Sequence, residues 1–86
     1  MATKYDPLRL HLKRVATSST VLTFTEIERV IGTSLPPTAG KRSEWWANEI
    51  SPASRHVQCH AWRDAGFNAF PNLTGQTVTF RRIGTN

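Results

Sequence analysis

Apolar residues recur at helical spacing shortly after the start of the chain. Leu8 and Leu12 follow Asp6-Pro7, a pair typical of a helix start because Asp can cap the helix and Pro fits its first position. The pattern predicts a helix over 7–15, with the basic side chains of this segment on the opposite face.

A second amphipathic segment predicts a helix over 25–31. Two overlapping capping arrangements are open, Thr23 with Glu26 or Thr25 with Glu28. In either one an acidic side chain lies in the first turn, where it interacts favourably with the helix dipole.

A third helix is predicted over 54–65, with Ser54 as its N-cap and Gly66 at its end. The polar residues of this segment, together with Cys59, are expected around the remainder of the helix. The apolar stripe that predicts burial comprises Val57, Ala61, Trp62 and Ala65.

Three short β-prone runs predict strands over 21–24, 67–70 and 77–82, the last two separated by a turn-rich connection. In the third run Val78 and Phe80 alternate with polar residues and therefore share one face. The runs and the helices together predict an α+β fold of three short helices with a small antiparallel sheet.

A final helix followed by a β-hairpin is similar to the winged-helix arrangement. A helix-turn-helix joins its last two helices by about 3–4 residues, whereas residues 33–53 intervene here. The expected fold is therefore an elaborated winged-helix-like one.

The intervening segment contains Trp45-Trp46-Ala47-Asn48, which fits either a strand or an ordered loop. If it is extended, the two indoles point to opposite faces, so that one enters the core and the other faces outward. Asn48 then has two possible roles, as a turn former or as a partner for an adenine edge.

The chain resembles a family of small bacterial domains of uncharacterised function. The likeness covers nearly the whole chain, its most specific part is the Trp-Trp-x-Asn element, and it implies one intact domain without assigning an activity. Phe67 stands where Trp is also common in such sequences. The matching segments are Tyr5-Asp6-Pro7-Leu8, Leu22-Thr23-Phe24, Glu26-Ile27-Glu28, Leu35-Pro36, Trp45-Trp46-Ala47-Asn48, Ala61-Trp62, Ala65-Gly66-Phe67 and Val78-Thr79-Phe80-Arg81.

Length and charge limit the domain organisation and the kind of partner to be expected. A chain of 86 residues is expected to form a single domain, here with a flexible arm over 1–5. Its 11 basic and 6 acidic residues give a net charge of +5, which favours an anionic partner such as nucleic acid.

The compartment expected is the cytoplasm. The chain has one cysteine, Cys59, and so no internal disulfide, and its first residues contain no apolar signal segment. No stretch approaches the roughly 20 apolar residues of a membrane span, so no membrane contact is expected.

Candidate nucleic-acid contacts lie on the polar face of helix 54–65 and in basic loops. Arg55 and Gln58, near the start of that helix, are predicted to reach base edges, as is Asn48. An ordinary solvated helix face is the competing interpretation. The residues predicted to contact phosphates are Lys41, Arg42, Arg63 and Arg82.

Neither a metal site nor a catalytic site is predicted, and no cofactor is expected. His56 and His60 share a helix face beside Cys59, but no third or fourth ligand pattern accompanies them. The sequence therefore predicts a small non-enzymatic DNA-binding protein. The alternative is a protein-interaction module, or a regulator of a larger host protein, anchored by Trp45 or Trp46.

Overall fold

The computed structural model describes residues 4–48 and 58–83, which form short helices and three short strands. Helices and a small antiparallel sheet make the domain an α+β structure, as predicted. The elements, in chain order, are α1 (Asp6–Lys13), β1 (Ser19–Thr23), α2 (Phe24–Ile31), α3 (Pro37–Lys41), a 3₁₀ turn (Ser43–Trp46), α4 (Cys59–Arg63), β2 (Phe67–Asn72) and β3 (Thr77–Arg82).

The sheet has the strand order β1-β3-β2, and both pairs are antiparallel. Strand β3 has the predicted bounds, and Val78 and Phe80 both point into the core. Strand β2 continues two residues beyond the predicted 67–70. Pro71 is compatible with this extension because β2 is an edge strand, where a missing N–H need not break the ladder.

Helix α1 begins at Asp6, with Tyr5 as the N-cap residue, rather than with Asp6 as the cap. Tyr5 was expected in a flexible arm, but it is only 6 % exposed and lies edge-on to Trp45, with ring centroids 5.9 Å apart. Burial of this large ring stabilises the segment that carries it.

Helix α2 uses the first of the two capping arrangements. The N–H of Glu26 donates to the Thr23 hydroxyl at 3.0 Å, and the N–H of Thr23 donates to the Glu26 carboxylate at 2.9 Å. Gly32 ends the helix at φ 76°, a left-handed conformation that glycine adopts without strain.

A column of aromatic rings forms the centre of the core between the helices and the sheet. Trp46 stacks on Phe24 and on Trp62, with centroids 5.5 and 5.6 Å apart, and Trp62 contacts Phe80 at 6.0 Å. The indole N–H of Trp46 donates to the carbonyl of Ala39 at 2.8 Å. The indole N–H of Trp62 donates to Oδ1 of Asn48, so the core buries two indoles without leaving their polar atoms unpaired.

For the segment of Trp45 and Trp46, a strand and an ordered loop were both open, and the structure has a 3₁₀ turn there. Of the predicted helix 54–65, residues 58–65 are described and α4 covers Cys59–Arg63. Cys59 was expected on the polar side of this helix, but it is fully buried. Among the described helices, none has the length and apolar character needed to cross a membrane.

Candidate functional site

Asn48, predicted to reach a base edge, uses both ends of its side chain inside the protein. Its Nδ2 donates to the carbonyl of Ala69 at 2.9 Å, and its Oδ1 accepts from the N–H of Ala69 at 2.6 Å. The same oxygen accepts the indole N–H of Trp62 at 2.9 Å. The structure therefore places Asn48 as a connector between the core and the edge of β2, and the base-edge role does not fit this geometry.

Gln58, the second predicted base contact, is only 5 % exposed. Its Nε2 donates to the carbonyl of Trp45 at 2.9 Å and so connects the start of α4 to the 3₁₀ turn. This side chain, at the N-cap position of α4, is withdrawn from solvent and bonded within the protein. The third predicted base contact, Arg55, lies outside the described residues, as does His56.

The two candidate partner anchors differ in burial. Trp46 is fully buried in the aromatic column and offers no surface to a partner. Trp45 is half-buried, and its ring packs edge-on against Trp46 at 4.6 Å and against Tyr5. Of the two, only Trp45 keeps part of its ring at the surface.

Two of the four predicted phosphate contacts also have intramolecular roles. The guanidinium of Arg82 donates from Nη2 to the carbonyl of Val15 at 2.7 Å and lies over the ring of Phe67, 4.6 Å from its centroid. Arg63 is half-buried, and its Nη1 donates to Oδ1 of Asn68 at 2.6 Å. Both guanidiniums are held in place by the protein itself.

Lys41 and Arg42, at the end of α3, are exposed, and unlike Arg63 and Arg82 they have no side-chain hydrogen bond to another described residue. Neither forms an ion pair with a carboxylate of the described residues. Trp46 anchors the segment before them through its bond to Ala39. The two cations are therefore presented to solvent from a backbone that the core holds in position.

Several acidic side chains are engaged locally. The Glu26 carboxylate accepts from the N–H of Thr23, and this bond holds the pKa of Glu26 below its ordinary value of 4.5, with the Thr23 hydroxyl acting in the same direction. Glu28 accepts from the N–H of Leu35 at 2.8 Å, and Asp6 lies 4.0 Å from Arg9. These carboxylates stabilise chain turns and helix starts, and none of the three forms an ion pair with Lys41 or Arg42.

The outer face of the sheet, directed away from the core, was not recognised from the sequence. It consists of three cross-strand rows, and the middle row, Val21–Thr79–Phe70, carries an exposed Val (57 %) and an exposed Phe (48 %). The flanking rows are Ser19–Arg81–Asn68 and Thr23–Thr77–Asn72. The alternation in 77–82 already indicates that Thr79 and Arg81 point outward. Which residues lie beside them on the face follows only from the register of the three strands.

Cys59 and His60, which raised the question of a metal, face different surroundings. Cys59 is buried and His60 is exposed. Within 4–48 and 58–83, no three His, Cys, Asp or Glu side chains come together in a group able to hold a metal ion.

The family assignment agrees with the resemblance found in the sequence at the level of an uncharacterised small domain. A family model described as "Domain of unknown function (DUF7662)" matches residues 5–84, so the chain belongs to that family. No curated protein and no solved structure matches the chain.

Proposed function

We propose that this member of the family is a non-enzymatic DNA-binding domain that contacts the phosphate backbone through exposed cations. The observation that carries the proposal is a difference between three acidic side chains, which have partners within the protein, and two basic side chains, which have none among the described residues. Glu26, Glu28 and Asp6 are engaged by neighbouring groups, whereas Lys41 and Arg42 are exposed and unpaired among the described residues.

The electrostatic argument follows from the net charge of +5. Exposed cations that have no intramolecular partner are free to replace the counterions condensed on a nucleic acid, and release of those counterions drives association. Lys41 and Arg42 suit this role because two adjacent cations at the end of a short helix can contact neighbouring phosphates.

Contacts to the phosphate backbone of DNA fit the structure better than contacts to base edges. Gln58 and Asn48 are engaged in the interior, and α4 buries Cys59 and Trp62. A phosphate contact positions a protein but carries no sequence information directly. We therefore propose binding with little sequence preference.

The finer structural proposal is a winged-helix-like arrangement. Helix α4 is followed directly by the hairpin of β2 and β3, and this order supports it. In the hairpin turn Asn72 Oδ1 accepts from the N–H of Gly75 at 3.0 Å, which gives the tip a defined shape. We also propose Trp45-Trp46-x-Asn48 as the characteristic element of the family, supported by the bonds of Trp46 and Asn48 within the core.

The test is a titration of random-sequence duplex DNA from about 50 to about 200 mM salt. The logarithm of the binding constant should fall linearly with the logarithm of salt concentration, with a slope of about −0.9 per phosphate contact. The double variant Lys41→Gln/Arg42→Gln should reduce the magnitude of that slope by about 0.9 for each contact removed.

The matched control is Lys13→Gln/Arg14→Gln, which removes the same charge from another exposed adjacent pair. A small effect of the control beside a large effect at 41 and 42 supports the location proposed. Equal effects would show that the general field matters and that Lys41 and Arg42 have no special position. Absence of binding at about 50 mM salt would refute the proposal.

A further inference from the structure

The outer face of the sheet combines an exposed aromatic ring with hydrogen-bonding side chains and a guanidinium. We propose that this face, centred on Phe70, binds single-stranded nucleic acid by stacking an unpaired base on the ring. The inference rests on the proposed nucleic-acid binding and adds a second surface to it, separate from Lys41 and Arg42.

Phe70 has the position that stacking requires. It lies on the edge strand β2, opposite Thr79, and about half of its surface is exposed. Asn68 and Asn72 flank it on the same face of the same strand, so an amide lies on either side of the ring. Bases stacked on aromatic side chains and hydrogen-bonded at their edges are the usual mode of single-strand recognition.

The charge of the face suits a phosphate chain. None of its nine residues is acidic. Arg81 is exposed and pairs across the strands with Asn68, and Asn68 in turn holds the Arg63 guanidinium. Two guanidiniums therefore border one end of the face, diagonal to Phe70, within reach of a phosphate next to a base stacked on the ring.

A second copy of the chain is a poorer occupant for this surface. Strand spacing and rise give the face dimensions of about 10 by 13 Å, which is an area of about 130 Å². This area is far below the roughly 800 Å² per partner that a standard interface buries. Val21 and Phe70 are its only apolar side chains. A short flexible strand needs less contact area, since a single stacked base already contributes to affinity.

The experiment measures fluorescence anisotropy of a labelled oligothymidylate of about 12 nucleotides, within the range of about 4–16 that one small domain occupies. Phe70→Leu keeps an apolar side chain but removes the ring, and should weaken binding about 5- to 150-fold. Phe70→Tyr keeps the ring and should retain the affinity. Arg81→Gln should reduce the magnitude of the salt slope by about 0.7.

Leu10→Ala is the matched control, because Leu10 is similarly exposed (52 %) but lies on α1. It should leave binding of the oligonucleotide unchanged, and melting curves of all variants should be similar because the substituted side chains are exposed. Duplex DNA should bind Phe70→Leu as it binds the original chain.

The outcomes separate the two proposals. If duplex DNA binds but Phe70→Leu leaves single-strand affinity unchanged, the sheet-face inference is wrong and the proposed function stands. If neither form of DNA binds at about 50 mM salt, both are wrong. Sedimentation that shows a dimer lost on Phe70→Leu would assign the face to a second copy instead.

Discussion

Asn48 pairs with the backbone of Ala69 as a neighbouring strand would, donating to its carbonyl and accepting from its N–H. The two residues are 21 positions apart, and the contact covers β2 on the side that β3 leaves open. Because the same Oδ1 accepts the Trp62 indole N–H, one side chain joins the edge of the sheet to the aromatic column.

Asn48→Ala should therefore destabilise the domain strongly. It leaves the polar groups of Ala69 and the indole N–H of Trp62 without the bonds described, and an unsatisfied buried group costs about 1–3 kcal/mol. A loss of about 2–4 kcal/mol in urea unfolding is expected. Asn72→Ala, which removes an exposed amide whose Oδ1 accepts from the N–H of Gly75 in the turn, should cost much less. A similar cost for both would contradict the connector role of Asn48.

Trp62→Ala should leave a cavity between Trp46 and Phe80. The indole is fully buried and stacks in the aromatic column, and Trp→Ala changes in cores cost about 3–5 kcal/mol. A domain this small has little more than that in total, so circular dichroism should show a largely unfolded chain. Trp62→Phe keeps a ring but removes the bond to Asn48. It should lower the free energy of unfolding less than Trp62→Ala does, and this smaller decrease combines the lost hydrogen bond with the remaining change in volume.

The helix α2 cap makes stability depend on pH. Hydrogen bonds from Thr23 lower the pKa of Glu26. A carboxyl whose pKa is lower in the folded state contributes its stability above the unfolded value, and that contribution is lost as pH falls through the folded value. Unfolding measured from pH 6 down to pH 3 (about the range in which carboxyls titrate) should show this loss. Glu26→Gln should flatten that part of the curve.

Thr23→Ala separates the cap from the charge. It removes the hydroxyl that accepts from the N–H of Glu26, and loss of an N-cap side chain costs about 1 kcal/mol. Thr25→Ala is the matched control, because Thr25 belongs to the capping arrangement that the structure does not use. An equal loss in the two variants would show that the cap at Thr23 has no special weight.

Cys59 reports on the burial of α4. Its thiol is fully buried, so a thiol reagent should react slowly with the folded chain and rapidly in denaturant. Fast reaction under native conditions would contradict the burial of this side of the helix. His60, which is next in the chain and exposed, should by contrast react readily with a histidine-modifying reagent in the folded state.

Local patterns in the sequence were sufficient to predict the elements whose signals are complete within a few residues. The alternation around Val78 and Phe80 predicted β3, and the acidic residue three positions after Thr23 was one of two ways to start α2. Gly32 marked the end of that helix. Caps and periodicity act between near neighbours, so such elements can be recognised without knowledge of the fold.

Only the tertiary structure decided which polar side chains are available to a ligand. Asn48 and Gln58 have the chemistry of base contacts, but their hydrogen-bond partners lie 21 and 13 positions away. The outer face around Phe70 likewise exists only once three separate strands share one register. Polar side chains take the partner that burial places beside them, and buried polar groups must be bonded, so their roles depend on contacts that no local pattern contains.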